Sequence, residues 1–261
     1  MSSLVFETDM GRWRVDLSAP KDISLPLAFD GVQPRFFGAA VASARPFVSG
    51  AFEGDVRRGA SCNCSTYTLT AHCNGTHTEC VGHITHEPVS IRDVTTHSLL
   101  LAQLLTLEPA SIDGDRVITA DGLQAAAGTI TQFASAAVIR TLPNTTEKYT
   151  HDYDAIPAAY FSPEAVHWLV QNGIEHLVTD LPSLDRGDDG GKLAAHRMFW
   201  GMPANATSIV QATRSHATVT ELAFVPNSLA DGLYLLNLQV APFVADAAPS
   251  RPVLYPLERI E

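Results

Sequence analysis

Positive charge is scarce in this sequence: 17 Lys and Arg stand against 28 Asp and Glu over 261 residues, a formal net charge of −11. A surface this acidic repels phosphates, so nucleic acid is excluded as an expected partner. Long hydrophobic runs are missing too. No stretch reaches the roughly 18 apolar residues of a spanning helix, and no membrane partner is expected. Cysteine is limited to Cys62, Cys64, Cys73 and Cys80. The first two form only a C-x-C pair, with no second pair at zinc-ribbon spacing. The amino terminus, Met1 to Asp9, has no basic region and meets acid early, unlike a signal peptide. The expectation is a cytoplasmic protein with reduced thiols. No repeat, low-complexity stretch or linker divides the chain, so one domain over 1–261 is expected.

What is present is an ordinary globular composition, 46% hydrophobic and 17% charged. Residues 13–17 and 41–48 read as short strands. Residues 65–72 alternate, with Tyr67, Leu69 and Ala71 on one side and threonines and His72 on the other, as a strand with one polar face does. The apolar stretch 98–107 carries a helical signal, as does the Ala-rich stretch 121–127 ending at Gly128. Residues 136–140 read as a buried strand. Ser162, Pro163 and Glu164 open a helix as N-cap, first residue and first-turn acid, and Asn172-Gly173 closes it. A strand at 174–178, a helix at 192–200 and strands at 218–224 and 233–243 complete the order. The last is apolar enough for burial on both faces. Interleaved strands and helices indicate an α/β or α+β domain.

Chemistry is concentrated between His72 and His83. These twelve residues hold three histidines, one glutamate and two cysteines, all competent metal ligands. Gly75 tolerates positive φ and lets the backbone double back. Donors before it (His72 or Cys73) and after it (His77) can then converge on one ion. Glu79 lies two residues beyond His77, on the same side of an extended chain. His83 is close enough to serve the same cavity without being a ligand.

This segment resembles the signature H-x-G-T-H-x-D-x-P-x-H of the cyclase superfamily of metal-dependent hydrolases, which includes bacterial kynurenine formamidase and isatin hydrolase. Gly75-Thr76-His77 match G-T-H, and His83 matches the last histidine. Asp22 to Leu27 is similar to the family's early D-I-S-x-P-L strand, and Asp180 to Asp185 to its D-x-P-S-x-D stretch. His196 and Glu221 stand where later ligands are expected. Three positions depart from the signature. Cys73 occupies the first histidine's place with His72 one residue off, Glu79 replaces aspartate, and Val81 replaces proline. Glutamate keeps the charge but carries the carboxylate about an ångström further. A Cys/His/Glu set leans towards zinc over manganese.

The resemblance implies a swivelling β/β/α domain, a barrel-like mixed sheet with helices outside, assembled as a homodimer or homotetramer. It implies a metal-dependent hydrolase of a non-peptide carbon–nitrogen bond, in a small-molecule arylformamide or cyclic amide, acting through a metal-bound hydroxide. On that basis Cys73, His77 and Glu79 are expected to hold a divalent metal, with His72 competing with Cys73. His83 is the expected acid–base residue. His196 and Glu221 are expected to serve a second metal or to orient water. Two alternatives stand beside this reading: a family member that binds a small metabolite without turnover, and a hydrolase of lactone-type esters. Asp180 and Asp185 are read as loop organisers, the other six histidines as structural, and Trp13, Phe36 and Phe37 as core rather than substrate wall.

Overall fold

The computed structural model describes residues 3–128, 130, 132 and 134–260; Met1 and Ser2 of the amino-terminal segment lie outside it. Its centre is a closed barrel of seven strands in mixed orientation. Going round, Ala247–Arg259 pairs with Gly232–Val240, then Leu99–Leu107, Ala136–Thr141, His176–Thr179, Thr218–Glu221 and His77–Cys80. His77–Cys80 returns to Ala247–Arg259 and closes the ring. Ser3–Thr8 and Gly11–Asp16 extend the sheet from the far half of the same long strand.

The central barrel strands are covered on two faces. Ala102, Leu104, Ala136, Val138 and Val178 join a cluster containing no helical residue, which is the barrel interior. Leu105, Leu107, Ala137, Ile139 and Leu177 join the layer that packs on the helices Ala120–Ala127, Pro163–Gln171 and Ala194–Trp200. The caps act as the sequence indicates. Ser162 Oγ accepts from Ala165 N at 3.2 Å, Pro163 occupies the first turn, and Gly173 follows at φ 77°.

Several expectations are corrected. Residues 98–107 do not form a helix: Leu99–Leu107 is a barrel strand. Covered on both faces, it loses the period-two alternation that betrays a half-buried strand. The strand expected over 65–72 is only Ser65–Thr68, and it is largely exposed. It ends because Asn74 Oδ1 accepts from Thr70 N at 2.6 Å while the Cys73 and Asn74 amides donate to Thr70 O, forming a tight turn. The stretch 41–48 divides into Ser43–Pro46 and Val48–Ser49. The strand expected over 218–224 ends at Glu221, because Leu222 takes a left-handed conformation at φ 53°. Among the described residues no helix is long and apolar enough to cross a membrane.

Candidate active site

Sheet register assembles the site. The four residues of His77–Cys80 are all buried. On one side His77 stands opposite Glu221 and Glu79 opposite Val219; on the other Glu79 stands opposite Ala247. Val219 belongs to the helix-side layer, and Glu221, two residues on, shares its face. The carboxylate is therefore aimed at the helices. Leu222 then turns the chain away, with its carbonyl accepting from Thr76 Oγ1 at 2.5 Å. Holding a leucine left-handed costs about 1–2 kcal/mol, and that strain sits one residue from Glu221. Thr76 Oγ1 also accepts from Leu25 N at 2.7 Å, tying the early 22–27 segment to the Gly75–His77 turn. Gly75 is at φ 113°, as its hinge role requires.

The Ala194–Trp200 helix supplies His196. Asp185 accepts from Ala195 N at 2.7 Å and from His196 N at 3.1 Å, satisfying first-turn amides. It also accepts from His196 Nδ1 at 2.6 Å, which fixes the ring with Nε2 inward. His83 rides on the short 3-10 helix Val81–Ile84. Gly82 permits that turn, since a Cβ there would lie 2.5 Å from Val89 O.

The inward atoms meet. His77 Nε2 is 3.3 Å from Glu221 Oε2, and His196 Nε2 is 3.0 Å from Glu79 Oε1 and 3.5 Å from Glu221 Oε1. His72 Nδ1 is 2.9 Å from Glu79 Oε2, and its Nε2 is 2.8 Å from Asp246 Oδ2. His83 Nδ1 lies 3.8 Å from Glu79 and 3.6 Å from Asp246. The donor atoms of His72, His77 and Glu79 all lie within 4.8 Å of one another, as do those of Glu79, His83 and His196 and those of His72, His83 and Asp246. Cys73 faces the same cavity but joins none of these three groups.

Electrostatics follow from this crowding of carboxylates. Burial alone would lower His72, yet its hydrogen bonds to Asp246 and Glu79 outweigh burial and lift the ring to about 10. Burial likewise opposes charge on His196, and Glu79 and Asp185 overcome it and raise the ring well above its usual value. Burial opposes charge on Glu79, but His83 and His196 beside it hold its carboxyl well below the ordinary range. Cys73 is pushed up by burial and by Glu221 and Asp154. The cluster thus draws positive charge inward, from protons or from a cation.

Metal chemistry fits these residues. His77 Nε2, Glu79 Oε1 and His196 Nε2 are fully buried, and none has a well-aligned hydrogen-bond partner, although they lie close together. Buried polar atoms without aligned partners are costly, and the imidazoles and carboxylates that meet in the space around Glu79 and Glu221 match the donor set of a divalent cation. The space opens into a cavity of about 340 Å³ whose other walls include Phe36, Phe37, Pro182 and Leu193. Phe37 is 72% exposed at φ 59°, so the expectation that it is core is corrected, whereas Trp13 is buried at 9% exposure.

Of the residues expected from sequence, His77, Glu79, His196 and Glu221 converge, and His83 faces the same cavity. Two further carboxylates contribute to the site. Asp185 does organise its loop, as expected, but it also orients His196. Asp246 was not anticipated, and its one signal is a lone acid within Val244-Ala245-Asp246-Ala247-Ala248.

Solved structures share this fold. The chain matches 93% of its length to 99% of a structure described as a potential metal-dependent hydrolase with cyclase activity, at TM-score 0.64 and 15% identity. Isatin hydrolase A from Labrenzia aggregata, bound to benzyl benzoate, matches at TM-score 0.60 and 13% identity, covering 92% of this chain and 94% of that one. A predicted metal-dependent hydrolase from Bacillus stearothermophilus matches at TM-score 0.58 and 14% identity, covering 91% and 98%. No curated protein sequence matches. The Cyclase family model matches residues 5–186, which include the early strand, the His72–His83 segment and the Asp180–Asp185 stretch. With most of its length matched by that model, and with the barrel and histidine cluster in place, the chain belongs to the Cyclase family.

Proposed function

We propose that the protein is a metal-dependent hydrolase of a carbon–nitrogen bond in a small non-peptide amide, an arylformamide or a cyclic amide. The observation that carries this is the buried meeting of His77, Glu79, His196 and Glu221, whose ring nitrogens lie 3.0, 3.3 and 3.5 Å from carboxylate oxygens beside an open cavity. His77, Glu79, His196 and Glu221 would hold the cation, and two imidazoles with two carboxylates suit zinc, with manganese as the competitor. When bound, a divalent cation makes water nucleophilic near neutral pH and polarises a carbonyl oxygen.

The remaining work belongs to side chains. Glu221 is steadied by Leu184 N, which donates to Oε1 at 3.0 Å. Phe36 and Phe37 offer an apolar wall that suits a flat aromatic group and sheds water from it. His83 is partly exposed to the cavity and backed by Asp246, so it is placed to hand a proton to the departing nitrogen. The isatin hydrolase relatives favour a cyclic amide as first substrate to test. Assembly as a homodimer or homotetramer in the cytoplasm is part of the same proposal.

Elemental analysis of purified protein, paired with hydrolysis assays on isatin and an N-formyl arylamine, tests the reading. Near-stoichiometric zinc or manganese, and activity lost in His77→Ala, are expected. His83→Ala should keep its metal while kcat falls by about 10²–10⁴. A folded protein with no affinity for divalent cations would overturn the proposal.

A further inference from the structure

We infer that His72, not Cys73, supplies the first signature ligand of this chain, through Nδ1, and that Asp246 is the positioning carboxylate that holds it there. The inference rests on the proposed metal site and concerns which residues complete it.

Three histidines around Glu79 and Glu221 are wired alike. His77 points Nε2 at Glu221 and donates from Nδ1 to Gly75 O at 3.0 Å. His196 points Nε2 at Glu79 and donates from Nδ1 to Asp185 at 2.6 Å. His72 points Nδ1 at Glu79, 2.9 Å away, and donates from Nε2 to Asp246 at 2.8 Å. An inward ring nitrogen with the opposite nitrogen donated to a carboxylate or carbonyl is the usual arrangement of a ligating imidazole. The donor atoms of His72, His77 and Glu79 already lie within 4.8 Å of one another, and the Cys73 sulfur joins no such group.

The one-residue shift has a local cause. The Thr70–Asn74 turn, closed by the Asn74 side chain, sets which of residues 72 and 73 reaches Glu79. Asp246 has an equally definite cause. Ala247 is registered opposite Glu79, and the Cys80 amide donates to Asp246 O at 3.0 Å. The backbone thus delivers a carboxylate beside Glu79 from a part of the chain beyond the family match at residue 186.

Cobalt(II) loading of the metal-free protein, followed by absorption spectroscopy, separates the two ligands. The expected spectrum has the visible bands of a nitrogen and oxygen site and no intense near-ultraviolet thiolate-to-cobalt band. Zinc affinity, measured by chelator competition, should be unchanged in Cys73→Ser and should fall about ten- to a hundred-fold in Asp246→Asn. Metal-free Asp246→Asn loses the His72 contact and should unfold at a lower urea midpoint, so affinities are compared on protein shown to be folded by circular dichroism, where a merely structural carboxylate would leave zinc affinity unchanged. A thiolate band that vanishes in Cys73→Ser would overturn the inference while leaving the metal-dependent reading intact. So would unchanged zinc affinity in Asp246→Asn. If the parent protein takes up no cation at all, the functional reading fails and this inference fails with it.

Discussion

At the scale of residues, four thiols of one type have divided fates. Cys62 and Cys64 are exposed and Cys73 and Cys80 are buried, and Cys80 Sγ lies 3.5 Å from Val89 O. Two thiols should therefore react rapidly with a disulfide reagent in the native protein and four after denaturation, as counted by the released chromophore. Three fast thiols would show Cys73 open to solvent. Asp22 illustrates a different residue-scale effect. Burial disfavours its charge, but Ser24 and Arg251 outweigh burial and lower its pKa below the ordinary 3.8. A depressed folded value stabilises above pH 3.8 and is lost as the pH falls through it. Asp22→Asn should flatten the acid limb of the urea-midpoint profile, modestly because Asp22 is partly solvated. His72, His77 and Glu79 are legible at this scale because Gly75 and the two-residue step to Glu79 favour convergence, whereas His196 and Glu221 are legible only through the family resemblance. Asp246 is not, since only strand register brings it beside Glu79, and register is not written in any local pattern.

At the scale of elements, helices announced themselves through their ends, and buried strands were legible at 136–140 and 233–243 but not at 99–107. The Pro163–Gln171 helix carries Ser162, Pro163 and Asn172-Gly173 as explicit punctuation. The Leu99–Leu107 strand has no such marks and two dry faces, so its leucines mimic a helix. The Ala247–Arg259 strand was hidden for another reason: Pro249, Pro252 and Pro256 interrupt it, and proline normally argues against a central strand. Leu104 tests the corrected assignment. It is fully buried in the barrel interior, so Leu104→Ala should cost about 2–5 kcal/mol in urea unfolding. A change below about 0.5 kcal/mol is what a surface position would give.

At the scale of the whole molecule, the barrel is held together partly by polar ties. Lys148 Nζ reaches Asp180 at 2.7 Å, Thr141 O at 2.7 Å and Asn144 Oδ1 at 3.1 Å, and Asp180 also accepts from Thr141 N at 2.8 Å. This knot pins the end of one barrel strand to the start of the segment that carries Asp185. Asp180 is buried, so Lys148→Met would leave its charge unpaired and should cost about 3–5 kcal/mol, read from the urea midpoint. Ring closure has a further consequence. The strand bearing His77 and Glu79 is seated between one that ends at Glu221 and one that begins at Ala247. During synthesis the early histidines emerge long before the neighbours that complete their surroundings. A growing chain therefore carries those side chains without their carboxylate neighbours for most of its length, and the proposed site is complete only when the final strand arrives.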